Sequence, residues 1–202
     1  MKIDFSECPV PILQNEWEFG MLLDIFKNLN PRGILEIGSF FGGTLWYWIK
    51  NSYYPRTIVS IDLPITKADA RYDKMCESRA KWGKWVGKEM EFAYISGDSR
   101  NEQVISKVQK IFSGDKKVDW LFIDGGHDYD TVNADYVNYA PLVRKDGLVI
   151  FHDILHETGV RAYWNKVKNG KSTIEINKEF GLGIICYDEK CCLEDGNKPK
   201  YI

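Results

Sequence analysis

The sequence predicts an α/β fold: a doubly wound, mostly parallel seven-stranded sheet with a C-terminal antiparallel strand pair. Three observations predict it. Short apolar runs alternate with amphipathic helical patterns, the runs are apolar throughout, as in strands buried on both faces, and nearly every strand ends on an acid or a histidine. The 202 residues suit one domain, 1–202, whose residues 1–30 form an N-terminal helical cap.

The first half of the chain contains three of the predicted strands. Helices are recognised by apolar residues at a spacing of three to four, and strands by short runs rich in Ile, Val and aromatic residues. In chain order these patterns predict a helix at 14–29, a strand at 34–37, a helix at 44–51, and strands at 57–62 and 93–98.

The second half continues the alternation. It predicts a helix at 102–112, a strand at 118–124, a helix at 129–143, a strand at 148–153, a helix at 160–168, and strands at 172–177 and 181–187. Lys145-Asp146-Gly147 is interpreted as the turn before the fifth strand. The last two strands are joined by a short polar segment, which predicts an antiparallel pair.

The polar residues at the strand ends predict where a ligand binds. In open parallel sheets the ligand lies beyond the carboxyl ends of the strands. Those ends carry residues 36–38, Asp62, residues 97–98, residues 124–127 and residues 152–153. We therefore expect a single functional site at this edge of the sheet.

The turn after the first strand carries glycines at Gly38 and Gly42, where backbone can approach a ligand closely. The spacing does not fit the GxGxxG dinucleotide fingerprint. Two phenylalanines inside the loop, Phe40 and Phe41, would crowd a pyrophosphate. The loop therefore favours a ligand without phosphates.

Two acids extend this predicted site. Asp62, at the end of the second strand, could accept hydrogen bonds from both hydroxyls of a ribose, or it could simply cap the following turn. Asp98, next to Ser99, stands where such ligands place an adenine edge, with a helix N-cap as the alternative. Because three such residues fall in register at strand ends, we favour the binding role.

The motif E-x-G-x-x-x-G, followed by Asp62 and by Gly97-Asp98-Ser99, resembles class I S-adenosylmethionine-dependent methyltransferases over roughly residues 30–187. The stretch FIDGGH-x-Y with a later FHD is similar to a narrower group, the macrocin- and mycinamicin-type sugar O-methyltransferases and cephalosporin hydroxylase-like proteins. The resemblance implies a Rossmann-like fold, S-adenosylmethionine as cofactor, and a hydroxyl of a small molecule or sugar as acceptor. It implies cofactor binding by Glu36, Gly38, Ser39, Gly42, Asp62, Asp98 and Ser99.

The same resemblance implies a catalytic set. Asp124 and Asp153 would hold a divalent metal such as Mg²⁺ or Mn²⁺, and His127 would be the general base for the hydroxyl. His152 replaces the acid or amide that metal-dependent relatives carry beside the last aspartate. Either His152 joins the metal ligands, which suits Mn²⁺, Fe²⁺ or Zn²⁺ better than Mg²⁺, or it points into the core and the site is lost.

Each catalytic candidate also has a structural interpretation. His127 could be a turn residue bonded to backbone, and Asp124 could cap the helix that follows. His156, just past the last aspartate, is expected to be exposed. Residues 64–92 could form a lid over the acceptor, or a surface helix whose Trp82 and Trp85 pack on the sheet.

Composition limits the class of partner. A formal net charge of −2 argues against general nucleic-acid binding, and no apolar run reaches the roughly 20 residues of a membrane span. The N-terminus lacks the apolar stretch of a signal peptide, and five scattered cysteines suggest free thiols. We expect a cytoplasmic protein, with a homo-oligomer left open. An NAD-dependent oxidoreductase and an inactive binding module are the alternative functions.

Overall fold

The computed structural model describes residues 2–53 and 56–187, so the predicted domain 1–202 extends beyond the described residues. Six α-helices and seven strands alternate along this part of the chain. The strands are β1 Gly33–Ile37, β2 Thr57–Asp62, β3 Glu91–Ser96, β4 Val118–Ile123, β5 Val143–Phe151, β6 Ser172–Ile176 and β7 Leu182–Cys186. The helices are α1 Glu16–Leu29, α2 Gly43–Lys50, α3 Tyr72–Trp85, α4 Glu102–Ile111, α5 Tyr129–Tyr139 and α6 Thr158–Val167.

The strands form one sheet in the order β3-β2-β1-β4-β5-β7-β6. The first five are parallel, and β7 lies antiparallel to both β5 and β6. The predicted fold class, including the C-terminal antiparallel pair, is confirmed. The chain reverses its direction across the sheet between β1 and β4, and this is the point at which ligands bind in such folds.

Each face of the sheet is covered by helices. Successive residues of a strand point to opposite faces, so Ile34 faces α1 and α2 whereas Leu35 faces the side covered by α4, α5 and α6. Both residues are completely buried. Burial on both faces explains why the central strands are mostly apolar, and it leaves the strand ends as the place where polar side chains can reach a ligand.

The predicted bounds of β3, α5 and β5 differ from the observed ones by two to five residues. Strand β3 begins at Glu91 and ends at Ser96, because its pairing with β2 stops at Asp62 opposite Ser96. Helix α5 ends at Tyr139, a 3₁₀ turn follows at 140–142, and β5 begins at Val143. The tripeptide at 145–147 is therefore not a turn between elements. It lies in an irregularity of β5, where residues 144–147 of that strand lie opposite the single residue Asp119 of β4.

Two further expectations concern the cysteines and membranes. Cys8 and Cys76 are free thiols as predicted, whereas Cys186 is disulfide-bonded, so the prediction is wrong for Cys186. Among residues 2–53 and 56–187, no helix is long and apolar enough to cross a membrane.

Candidate active site

A cavity of about 1310 Å³ opens at the carboxyl ends of the parallel strands. Nine of the predicted site residues line it: Gly38, Ser39, Asp62, Asp98, Ser99, Asp124, His127, His152 and Asp153. Glu36 and Gly42 do not line it. The strand ends thus meet in one concave site large enough for a nucleoside-containing ligand together with a second molecule.

The loop between β1 and α2 forms one wall. Gly38 and Gly42 have φ of 87° and 88°, a backbone conformation that favours glycine. A Cβ at Gly38 would overlap the backbone oxygen of Asp124, so β1 and the end of β4 approach each other as closely as their backbones allow. Phe40 also has a positive φ, 50°, which costs on the order of 1–3 kcal/mol in a residue other than glycine.

Glu36 lies beneath this loop rather than in the cavity wall. Its side chain is completely buried, and Oε1 accepts a hydrogen bond of 2.8 Å from Thr44 Oγ1 in the first turn of α2. Burial raises the pKa of Glu36 to about 8. The structure thus connects Glu36 to the start of α2, and its predicted contact with the cofactor stays a prediction.

Asp62 is held by both neighbouring loops. Its Oδ2 accepts from Phe40 N–H at 2.5 Å, and its Oδ1 accepts from Leu63 N–H at 2.7 Å. The Arg79 guanidinium lies 3.0 Å from Oδ2 as a close charge contact without hydrogen-bond alignment. Asp62 therefore faces the cavity in a fixed orientation.

Asp98 and Ser99 form the adjoining wall. Asp98 accepts from the backbone N–H and guanidinium of Arg100, which lower the pKa of this carboxyl to about 2. The N-cap of α4 is Asn101, whose side chain accepts from Gln103 N–H, so the alternative interpretation of Asp98 as that cap is wrong. Asp98 is free of any capping role and stays ionised at the edge of the cavity.

Asp124, His152 and Asp153 form an acid–imidazole cluster, in which one ligand atom from each lies within 4.8 Å of the others. His152 Nδ1 lies 3.1 Å from Asp124 Oδ1 and 3.2 Å from Asp153 Oδ2. His152 is buried, and neither ring nitrogen makes an aligned hydrogen bond. Asp153 is held in the left-handed region at φ 64°.

The charges of this cluster require compensation. Burial alone would lower the pKa of His152, but the carboxylates of Asp124 and Asp153 outweigh it and raise this pKa to about 10. Two carboxylates that converge on a buried site thus hold one positive charge, either a proton on His152 or a bound cation. One imidazole nitrogen and two carboxylate oxygens, without aligned hydrogen bonds at the nitrogen, are a donor set that fits a divalent transition metal.

His127 extends the cluster toward the cavity. Its Nε2 lies 3.2 Å from Asp153 Oδ2, and its Nδ1 lies 3.5 Å from Glu157 Oε1. The side chain is 42% exposed. The helix α5 is capped by Asp128, whose side chain accepts from Thr131 N–H at 2.9 Å, so the interpretation of Asp124 as this cap is wrong.

The structure adds residues that the sequence analysis missed. Gln14 Nε2 donates to Asp124 Oδ2 at 3.1 Å across 110 residues of chain, and Glu157 faces His127. Phe180 packs against His152 with ring centroids 5.5 Å apart. The sequence carries no local signal for these contacts, because each joins segments distant in the chain.

The loop that carries Phe180 is anchored by Glu18 of α1. The Glu18 carboxylate is buried and accepts four backbone N–H groups, from Lys178, Glu179, Phe180 and Gly181, at 2.8–3.2 Å. This contact fixes the β6–β7 connection over the acid–imidazole cluster. Helix α1 thereby holds in place a loop that lines the cavity.

The segment 64–92 contains α3, which packs against the sheet. Trp82 is buried and donates from Nε1 to Phe41 O at 3.0 Å. Its ring meets Tyr94 of β3 edge-on at 5.1 Å. The interpretation of Trp82 as a packing residue is therefore correct, and a lid function of the segment stays a prediction.

A family model described as "Methyltransferase domain" matches residues 35–154. An uncharacterised protein, y4gI, of Sinorhizobium fredii is 32% identical over 181 residues, and the match covers 85% of this chain. The chain spans only 19% of the length of that relative.

Solved structures share the fold at low identity. A Staphylococcus aureus protein, provisionally described as a caffeoyl-CoA O-methyltransferase, matches with a TM-score of 0.65 at 20% identity, covering 88% of this chain and 85% of its own. A Bacillus cereus O-methyltransferase in complex with S-adenosylhomocysteine gives 0.60 at 13%, covering 90% and 86%. A TDP-rhamnose 3′-O-methyltransferase of calicheamicin biosynthesis gives 0.60 at 16%, covering 91% and 89%.

Proposed function

Because the chain belongs to the methyltransferase domain family, we propose that it transfers the methyl group of S-adenosylmethionine to a hydroxyl group of a small molecule or sugar. Family and fold confirm the resemblance that the sequence predicted to class I methyltransferases. The observation that carries the proposal is the meeting, in one cavity, of the β1–α2 glycine loop and the acid–imidazole cluster.

The part of the cavity lined by the β1–α2 loop fits S-adenosylmethionine. Gly38 and Ser39 line it beside Asp62, and Asp98 and Ser99 lie across the sheet edge from them. An S-adenosylmethionine molecule would supply an electrophilic methyl group on its sulfonium sulfur. Asp62 is oriented to accept hydrogen bonds from ribose hydroxyls, and the absence of a GxGxxG pattern disfavours a dinucleotide.

His127 is proposed as the general base. His127 lines the cavity and is partly exposed, so its imidazole is placed to accept the proton of the acceptor hydroxyl, while Asp153 and Glu157 orient the ring from its two nitrogens. Oxygen then forms the new bond to the methyl carbon as the carbon–sulfur bond breaks, giving a methyl ether and S-adenosylhomocysteine.

A divalent metal at Asp124, His152 and Asp153 is proposed as an aid to this step. Such an ion would lower the pKa of a hydroxyl that binds to it. The mixed nitrogen and oxygen donor set favours Mn²⁺, Fe²⁺ or Zn²⁺ over Mg²⁺. The unaligned nitrogens of the buried His152 support an ion there rather than a closed hydrogen-bond network.

A sugar acceptor is the finer part of the proposal. It is supported by the narrower sequence resemblance and by the fold likeness to a TDP-rhamnose 3′-O-methyltransferase. Trp17, His156 and Phe180 line the cavity and would supply aromatic surface to an acceptor ring.

Calorimetric titration of S-adenosylhomocysteine, with and without Mn²⁺ and with NAD as control, tests the cofactor and the metal separately. We expect micromolar binding of S-adenosylhomocysteine and no binding of NAD. Binding of NAD alone would favour an oxidoreductase, and binding of neither would favour an inactive module. Mn²⁺ binding that is lost in Asp153→Asn would support the metal site, whereas equal binding by both proteins would refute it.

Replacing His127 with alanine tests the base. Turnover should fall by roughly 10²–10⁴, the usual size of a general-base contribution, while S-adenosylhomocysteine affinity stays near that of the wild type. Asp130→Asn, an exposed change in the first turn of α5, serves as control. Unchanged turnover of His127→Ala with an accepted substrate would exclude His127 from the mechanism.

A further inference from the structure

Arg79 of α3 contacts three segments of the chain near Asp62: the β1–α2 loop, the residue that follows β2, and β3. Its Nε donates to Phe40 O at 3.3 Å, and Nη1 donates to Leu63 O at 3.0 Å and to the Tyr94 hydroxyl. Its Nη2 lies 3.0 Å from Asp62 Oδ2. The side chain is only 7% exposed, although α3 as a whole is a largely polar helix.

The rings around Arg79 fix the plane of its guanidinium. The carbon Cζ lies 5.5 Å from the centre of the Trp82 ring and 5.3 Å from that of Tyr94. Trp82 is itself fixed by its hydrogen bond to Phe41 O. Arginine can place a planar cation against aromatic rings while it donates to carbonyl oxygens and faces a carboxylate. Lysine cannot make this combination of contacts.

The contacts of Arg79 coincide with the strained residue of the loop. Phe40 has a positive φ, and its two backbone polar groups bond to the two members of the ion pair, N–H to Asp62 and C=O to Arg79. The loop conformation and the Asp62 orientation therefore depend on each other through Arg79. Without the guanidinium, Phe40 could relax and Asp62 would lose the cation that faces its Oδ2.

We propose that Arg79 is a positioning residue that holds Asp62 and the Phe40 backbone in the shape that binds the ribose of the cofactor. This inference rests on the proposed function, since it assumes a nucleoside ligand at Asp62. The proposal gives segment 64–92 a specific role, because its helix α3 supports the β1–α2 loop and Asp62 through Arg79. Arg79 does not line the cavity itself and acts through Asp62.

The experiment compares two ligands on two variants by calorimetry. The ligands are S-adenosylhomocysteine and its analogue without both ribose hydroxyls. Arg79→Lys keeps the charge and loses the planar fork, whereas Lys84→Gln changes an exposed cation on the same helix. We expect Arg79→Lys to bind S-adenosylhomocysteine roughly tenfold more weakly and the analogue less than about twofold more weakly, because only the first ligand uses Asp62. Lys84→Gln should match the wild type with both.

Equal losses for the two ligands would overturn the proposal, because they would mean a general disturbance of the fold. Unchanged binding of S-adenosylhomocysteine by Arg79→Lys would overturn it as well. If Arg79→Lys does not fold, as judged by urea unfolding, Tyr94→Phe removes one acceptor of the guanidinium and should show the same ligand-dependent pattern with a smaller loss. Failure of the wild type to bind S-adenosylhomocysteine would refute the proposed function itself, and is thereby distinguished from failure of the positioning role.

Discussion

Replacing Glu18 with glutamine is expected to destabilise the protein by about 2–4 kcal/mol, the loss of roughly one or two hydrogen bonds to a charged group. In the native structure Oε1 accepts from Lys178, Glu179 and Gly181, and Oε2 accepts from Phe180 at 3.2 Å. Glutamine keeps one acceptor oxygen and puts an NH₂ group against a backbone N–H. One hydrogen bond is then lost, and the remaining three lose the assistance of the negative charge.

Urea unfolding followed by tryptophan fluorescence measures this loss as a shift of the midpoint at constant slope. Glu16→Gln is the matched control, because Glu16 lies in the same first turn of α1 but forms an exposed ion pair with Lys2 at 2.6 Å. Such surface pairs contribute about 0–1 kcal/mol. If Glu18→Gln and Glu16→Gln shifted the midpoint equally, Glu18 would not anchor the loop as argued.

Two further predictions concern the β1–α2 loop. Gly38→Ala should lower the free energy of unfolding by at least about 2 kcal/mol and abolish S-adenosylhomocysteine binding, because the new Cβ would overlap the Asp124 backbone at a positive φ. Gly83→Ala in α3, with open space around it, is the control and should be neutral or stabilising by thermal unfolding. Burial raises the pKa of Glu36 from 4.5 to about 8, so the folded state holds a proton that the unfolded chain releases. The stability of the wild type relative to Glu36→Gln should therefore be greatest below pH 4.5 and fall as pH rises through about 8; a constant difference between the two proteins would contradict the raised pKa.

The elements that the sequence predicted well are those determined by local pattern. The bounds of β1, β2 and β4 follow from the sequence to within a residue, because burial on both faces makes these runs mostly apolar between polar ends. The fifth strand was predicted to start five residues too late. Lys145-Asp146-Gly147 has the composition of a turn, but the irregularity of β5 accommodates these residues, of which Lys145 and Asp146 are exposed, within the strand.

The predicted site residues come together because the topology of a parallel sheet places the ends of its strands at one edge. Parallel strands end at the same edge, so an acid after β2 and another after β4 must lie near one cavity. The supporting contacts could not be predicted in this way. Glu18 reaches the β6–β7 connection across 160 residues, and no spacing rule relates the two segments.

The placement of these supporting contacts indicates where the selectivity of the protein resides. The floor of the cavity is made of strand ends, which the fold requires, whereas its walls are held by Arg79 beside Asp62 and by Glu18 beside Phe180. Glu18 bonds to four backbone N–H groups of the β6–β7 connection, so the side chains of that loop could change without loss of the anchor. A wall fixed through its backbone leaves its side chains free to suit a ligand. Changes at Phe180 should therefore alter acceptor preference with less loss of stability than changes at Glu18, which holds that residue in place.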